Sequence, residues 1–156
     1  MYRFFILLGL IAFFSCGGPK NELVELDLLD NGVPLKIMAP EGAVVEVDDL
    51  GIIRDVTVKD SLGYFVQIFA SKANSLNPAK VLEDQKTIVQ EAPYFSKFTE
   101  EMEDGFIFEK KIDDETFRYD FRYIRIQGDD QYIFQTGLSG GYDEAAVQRM
   151  YQAVQQ

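Results

Sequence analysis

Between Lys97 and Leu138, runs of strand-forming residues recur with only short polar breaks between them, and this limits the fold more than any other feature of the chain. Lys97–Glu103 and Phe106–Ile112 flank Asp104-Gly105, a favoured two-residue hairpin turn. Asp113-Asp114 leads into Thr116–Gln127, and Gly128-Asp129-Asp130 leads into Gln131–Leu138. Connections this short can only join antiparallel neighbours, because a parallel pair needs a crossover of about a dozen residues or more. The segment is therefore expected to fold as an antiparallel meander.

The long run TFRYDFRYIRIQ, residues 116–127, puts Phe117, Tyr119, Phe121 and Tyr123 on one face and Arg118, Asp120 and Arg122 on the other. The apolar parity changes at Tyr123-Ile124, so Ile124 and Ile126 fall on the arginine side. Such a change implies either a bulge or a strand covered on both faces at one end. With a three-residue loop at Gly128–Asp130, Ile126 would pair with Tyr132 and Ile124 with Phe134, matching apolar to apolar. Aromatic rings interleaved with arginines can also form a stacking platform for single-stranded nucleic acid. The chain, however, carries 26 Asp and Glu against 15 Lys and Arg, a net charge of −11. Such a surface repels phosphates, so a nucleic-acid partner is excluded and the aromatic face is assigned to the core. Arg118, Arg122 and Arg125 are then the main basic stripe of an acidic domain and the candidate surface for an acidic protein partner. Asp120 and acids on neighbouring strands compete for the same arginines.

Two amphipathic helices are expected. In NPAKVLEDQKTIVQEAP, Asn77 caps, Pro78 suits the first helical position, and Pro93 ends the element. Its apolar face comprises Val81, Leu82, Gln85, Ile88, Val89 and Ala92. In YDEAAVQRMYQAVQQ, Asp143 caps and Glu144 complements the positive helix end, while Val147, Met150, Tyr151 and Val154 follow helical spacing. Earlier β-rich runs, GVPLKIMAP, GIIRDVTV and YFVQIFA, are bounded by the turns Asp30-Asn31-Gly32, Asp48–Gly51 and Asp60–Gly63. The expected fold class is α+β: a single antiparallel, meander-rich sheet with both helices packed on it.

The N-terminus has a separate meaning. Met1-Tyr2-Arg3 precedes Phe4–Phe14, which contains no charged side chain. That run is too short for a spanning helix, which needs about 20 residues, and fits the apolar core of an export signal. It ends in Phe13-Phe14-Ser15-Cys16, with Gly17-Gly18-Pro19 beyond. This junction resembles the lipobox of bacterial lipoproteins of the Bacteroidota type, departing from it at Phe13, where leucine is usual, and Phe14, where a small residue is usual. The resemblance implies cleavage before Cys16 and acylation of its thiol (palmitate among the chains), making Cys16 the lipid-attachment site. Two or three acyl chains anchor stably where one holds only marginally. The organisation that follows is a signal peptide at 1–15, a lipidated tether at 16–22 and one domain at 23–156, exported and held on a membrane of the cell envelope. An unmodified Cys16 would instead be a free thiol or an intermolecular link.

The catalytic equipment is thin. The chain has no histidine and one cysteine, which removes Ser-His-Asp and Cys-His nucleophile systems and the usual zinc ligand sets. Carboxylates cluster at Asp48-Asp49, Glu100-Glu101, Asp113–Glu115 and Asp129-Asp130, each near an expected turn, where solvated acids are common. A calcium loop begun at Asp27 would put Leu29 third and Met38 twelfth, without ligand oxygens. Gly140-Gly141 is too short for a phosphate loop and has no lysine after it. No catalytic residue, metal site or cofactor is assigned, and the chain is expected not to be an enzyme.

The early PLKIMAPEGAVVE segment and the closing YIFQTGLSGGYDEAAVQRMYQAV are similar to the PsbP-like and DcrB-like group of small envelope and thylakoid proteins, although the tryptophan often seen near the first strand is absent. The resemblance implies an α+β domain with an assembly or accessory role. The leading expectation is an envelope lipoprotein with a non-catalytic binding or assembly role and a protein partner. The alternatives are a small-ligand or polysaccharide-binding module and, behind it, a carboxylate-dependent hydrolase. A deep groove lined by tyrosines and acids favours a ligand; a flat apolar patch favours a partner protein.

Overall fold

The computed structural model describes residues 22–137 and 140–156; the expected signal peptide and Cys16 lie outside the described residues. Strands β1 (Leu23–Asp27) and β2 (Lys36–Pro40) form an antiparallel hairpin closed by a 3-10 turn at Leu29–Asn31. Strands β3 (Val44–Asp49), β4 (Ile53–Lys59) and β5 (Phe65–Lys72) make a first meander, and helix α1 (Pro78–Glu91) follows. Strands β6 (Phe95–Glu101), β7 (Gly105–Lys111), β8 (Phe117–Gln127) and β9 (Asp130–Thr136) make a second meander, and helix α2 (Glu144–Val154) comes last. The two meanders join through β5 and β9 into a seven-stranded sheet of order β3-β4-β5-β9-β8-β7-β6, antiparallel throughout. The fold is α+β.

It is not built on a single sheet as the sequence suggested. The β1–β2 hairpin stands apart because its apolar side chains are worth more against a sheet face than at a sheet edge. Leu28, Val33 and Ile37 have no exposed surface and share one core with Val56, Val58, Val66 and Ile68 of β4 and β5. Side-chain alternation signals that a segment will pair; it does not name the partner.

The helices lie on opposite faces. Val147, Met150, Tyr151 and Val154 of α2 pack with Ile107, Phe121, Tyr123 and Phe134. Val81, Leu82 and Val89 of α1 pack with Phe106, Phe108 and Ile124. This accounts for the parity change in β8. Its register with β7 and β9 runs without a bulge, and its far half is covered on both sides. Bulges occur instead in β6, the edge strand, between Phe95 and Lys97 and between Phe98 and Glu100. An irregular edge is a poor template for pairing with another chain.

Three local expectations are corrected. Ile124 pairs with Ile133 and Ile126 with Gln131, one residue away from the expected register, because the β8–β9 turn has two residues, Gly128 and Asp129, closed by the Gln127–Asp130 pair. Gly128 takes the positive φ of +62° that this tight turn demands. β6 ends at Glu101 and β7 begins at Gly105, so the β6–β7 loop is Met102, Glu103 and Asp104 rather than the expected pair Asp104-Gly105. Gly105 is there for clearance: a Cβ would sit 2.4 Å from the Arg122 carbonyl oxygen and 2.6 Å from the Tyr151 hydroxyl. Finally, Ile88 is 56% exposed although it falls on the expected apolar face of α1. That helix rests on β6 and β8, so only a narrow stripe is buried.

Both caps form as the sequence implies. The Asn77 side chain accepts the Ala79 N–H at 3.1 Å, and Asp143 accepts the Ala146 N–H at 2.7 Å.

Candidate functional site

The hairpin and the main sheet share their ends. At one end Leu23 pairs with Pro40, and Lys59 pairs with Val44 and Phe65. The chain enters the fold here. At the other end lie the Asp49–Arg54, Lys72–Asp130 and Gln127–Asp130 pairs.

A cavity of about 550 Å³ opens at the entry end, between the β1–β2 hairpin, the β4–β5 turn and α2. Its apolar walls include Leu23, Met38, Pro40, Leu62, Met150 and Ala153. The space follows from small residues: Ala146 and Ala153 lie seven positions apart on the α2 face turned to it. The β4–β5 turn is fixed by Asp60, whose carboxylate accepts the N–H groups of Leu62 and Tyr64 at 2.8 Å each. Tyr64 in turn donates its hydroxyl to the Met38 carbonyl at 2.8 Å, tying the turn to the hairpin. The Phe65 N–H meets Met150 Sδ at 3.4 Å, tying the same turn to α2. Three elements thus hold the cleft open through defined contacts.

Polar groups gather at the edges. Tyr142, Asp143, Arg149 and Gln152 line the cleft. The Asp143 carboxylate is occupied as the cap of α2, and the Tyr142 carbonyl accepts the Tyr119 N–H at 3.1 Å. Burial pushes the Tyr64 phenol far above its ordinary range, with the nearby Asp60 charge adding to it. The Tyr142 phenol is also raised, first by burial and then by the Asp120 charge. Both phenols therefore stay protonated at physiological pH. Arg149 forms no ion pair among the described residues.

The three arginines singled out from the sequence are not brought together. Arg118 and Arg122 lie on the β8 face that carries Ile124, whereas Arg125 lies on the opposite face with Tyr123. Arg122 is held 3.3 Å from Asp120, donates to the Phe121 carbonyl at 2.8 Å, and sits over the Phe108 ring. Arg125 donates to the Gln156 carbonyl beyond α2.

The turn acids bind backbone. Asp27, Asp49 and Asp113 accept N–H groups of Leu29, Gly51 and Glu115 at 2.9–3.0 Å. Hydrogen bonds from Glu115 and Thr116 hold the Asp113 carboxyl below its usual range. Among the described residues, no group of three or more carboxylates is close enough to hold a metal ion. No described helix is long and apolar enough to cross a membrane.

At the opposite end of the sheet, Leu29, Leu50 and Ile52 are exposed at 61%, 66% and 86%. The cleft itself could not be read from the sequence, since its lining comes from residues 23 to 153. The only local hint was the small-residue spacing on the last helix. No family model, curated protein or solved structure matches this chain.

Proposed function

We propose that this chain is a lipid-anchored lipoprotein of the cell envelope, with a non-catalytic binding role exercised through the cleft beside α2. The lipid anchor is supported by Ser15-Cys16 at the end of an uncharged apolar run. The binding role rests on one observation. Three separate elements enclose a cavity of about 550 Å³, in the range of small-molecule sites, with apolar walls and polar groups at the edge. The absence of histidine from the sequence supports a role without acid–base catalysis by imidazole. The similarity to the PsbP-like and DcrB-like group points to an accessory role as well.

A protein partner is the second reading, favoured by the exposed Leu50 and Ile52 at the far end of the sheet. Two measurements separate these ideas. Mass spectrometry of the membrane-extracted protein should find the lipid on Cys16, and Cys16→Ser should release the chain from the membrane fraction; an unmodified N-terminus elsewhere removes the anchor. A photo-crosslinking residue placed at Leu62 or at Ile52 in cells should capture the ligand at Leu62. Capture of one defined protein at Ile52 alone would move the function to the opposite end.

A further inference from the structure

Resting on that binding reading, we infer that the cleft holds the acyl chain of a free long-chain fatty acid, with its carboxylate at Arg149. The walls select the tail. Leu23, Met38, Leu62, Met150 and Ala153 are apolar, and the two thioethers adapt to a flexible chain. The Tyr64 hydroxyl is already spent on the Met38 carbonyl, so this buried side chain offers no free donor to a polar ligand. A sugar or nucleotide would leave unpaired those polar groups that it sets against Leu23, Met38, Leu62 and Met150, at a cost that an acyl chain does not incur.

The mouth selects the head. Arg149 lines the cleft and has no acidic partner among the described residues, while Asp143, which also lines it, accepts the Ala146 N–H as the helix cap. One cation suits one carboxylate. The acidic remainder of the domain, at a net charge of −11 for the whole chain, disfavours docking onto an anionic bilayer surface. Position supplies the source. Leu23 lines the cleft only seven residues after Cys16, so an anchored chain keeps the opening within about 25 Å of a surface built of acyl lipids.

The test uses the full protein purified from membranes and transferred from detergent into amphipol, with radiolabelled palmitate as the probe and 1-hexadecanol as its uncharged analogue. Palmitate should bind saturably at one per chain, and hexadecanol about tenfold more weakly. Arg149→Glu should weaken palmitate by at least about tenfold and leave hexadecanol unchanged. Ala146→Phe should fill the cleft and abolish both, with an unchanged melting temperature. Leu62→Glu, on an exposed turn, serves if that variant does not fold. Non-saturable palmitate uptake, or saturable uptake indifferent to Ala146→Phe and Leu62→Glu, overturns the inference. So does equal loss of acid and alcohol with Arg149→Glu, which removes carboxylate recognition. Binding that emerges only with Cys16→Ser shows the protein's own anchor in the cleft and likewise overturns a free fatty acid. If palmitate fails while Leu62 still crosslinks another molecule in cells, the binding role stands and only the fatty acid falls.

Discussion

Replacing Asp120 should unfasten the middle of the sheet. This carboxylate is 4% exposed and sits where β8 and β9 separate, beyond their last registered pair, Tyr123–Phe134. Its Oδ1 accepts the Phe121 N–H at 2.8 Å, the Thr136 N–H at 3.0 Å and the Thr136 hydroxyl at 2.7 Å. Its Oδ2 lies 3.3 Å from both Lys110 and Arg122. One side chain therefore replaces part of a backbone ladder and neutralises two cations. In Asp120→Ala two N–H groups lose their acceptor, and Arg122, whose side chain is only 13% exposed, loses its counter-charge. Removing one partner of a buried ion pair costs about 3–5 kcal/mol, and each hydrogen bond to a charged acceptor about 1.5–3 kcal/mol. The terms overlap because water enters the gap, so the expected loss is about 4 kcal/mol, a large part of a typical stability of roughly 5–15 kcal/mol. Asp120→Asn keeps an oxygen for Thr136 and should cost about half as much. Urea denaturation followed by far-UV circular dichroism measures both. The double change Asp120→Leu with Arg122→Met should cost less than Asp120→Leu alone, because the penalty lies in the stranded cation. A loss below about 1 kcal/mol for Asp120→Ala, or strictly additive costs in the double variant, would refute this account.

Phe121 is fully enclosed and meets Tyr151 edge-on, with ring centroids 5.6 Å apart, so Phe121→Ala should lose about 3–5 kcal/mol in the same denaturation assay. Gly105→Ala, with no space for a Cβ, should lose about 1–3 kcal/mol, and a neutral result would show that the Arg122 backbone and Tyr151 can retreat. Asp55 gives a pH-dependent case: burial raises its carboxyl, assisted by Asp48 and opposed by a hydrogen bond from Gln67, and its Oδ1 is buried without a partner. Its folded pKa lies above the unfolded value, so the folded state binds the extra proton between the two. Stability should fall as pH rises from the ordinary aspartate range of about 4 through the raised folded value, then level off. Denaturation of Asp55→Asn beside the wild type should show the variant gaining ground with pH across that window; a gap independent of pH removes the effect.

What the sequence decided by itself was local. Asn77 before Pro78 and Asp143 before Glu144 set the helix starts, because a cap needs only a side-chain oxygen within reach of the next few N–H groups. The apolar spacing of α2 gave its buried face, since every one of Val147, Met150, Tyr151 and Val154 meets the same core. The aromatic parity of β8 likewise marked Phe121 and Tyr123 as core residues.

What needed the tertiary structure was every choice between partners. The β1–β2 hairpin covers a sheet face rather than extending the sheet, because burial against Val56 and Val66 outweighs the gain of another edge ladder. The β8–β9 register depended on one residue of turn length, and hydrophobic matching chose wrongly: it set Ile126 against Tyr132, whereas the two-residue turn sets Ile126 against Gln131 and, of the two isoleucines, leaves only Ile124 facing an apolar partner, Ile133. Arg118, Arg122 and Arg125 look like one stripe in the sequence. An odd spacing from Arg122 to Arg125 sends the last of them through the sheet plane to the other side. The cleft exists only because β2, the β4–β5 turn and α2 stop short of each other, leaving space beside two alanines. Strand period and cap chemistry act over a few residues, whereas a cavity is set by how distant elements fail to fill the volume between them.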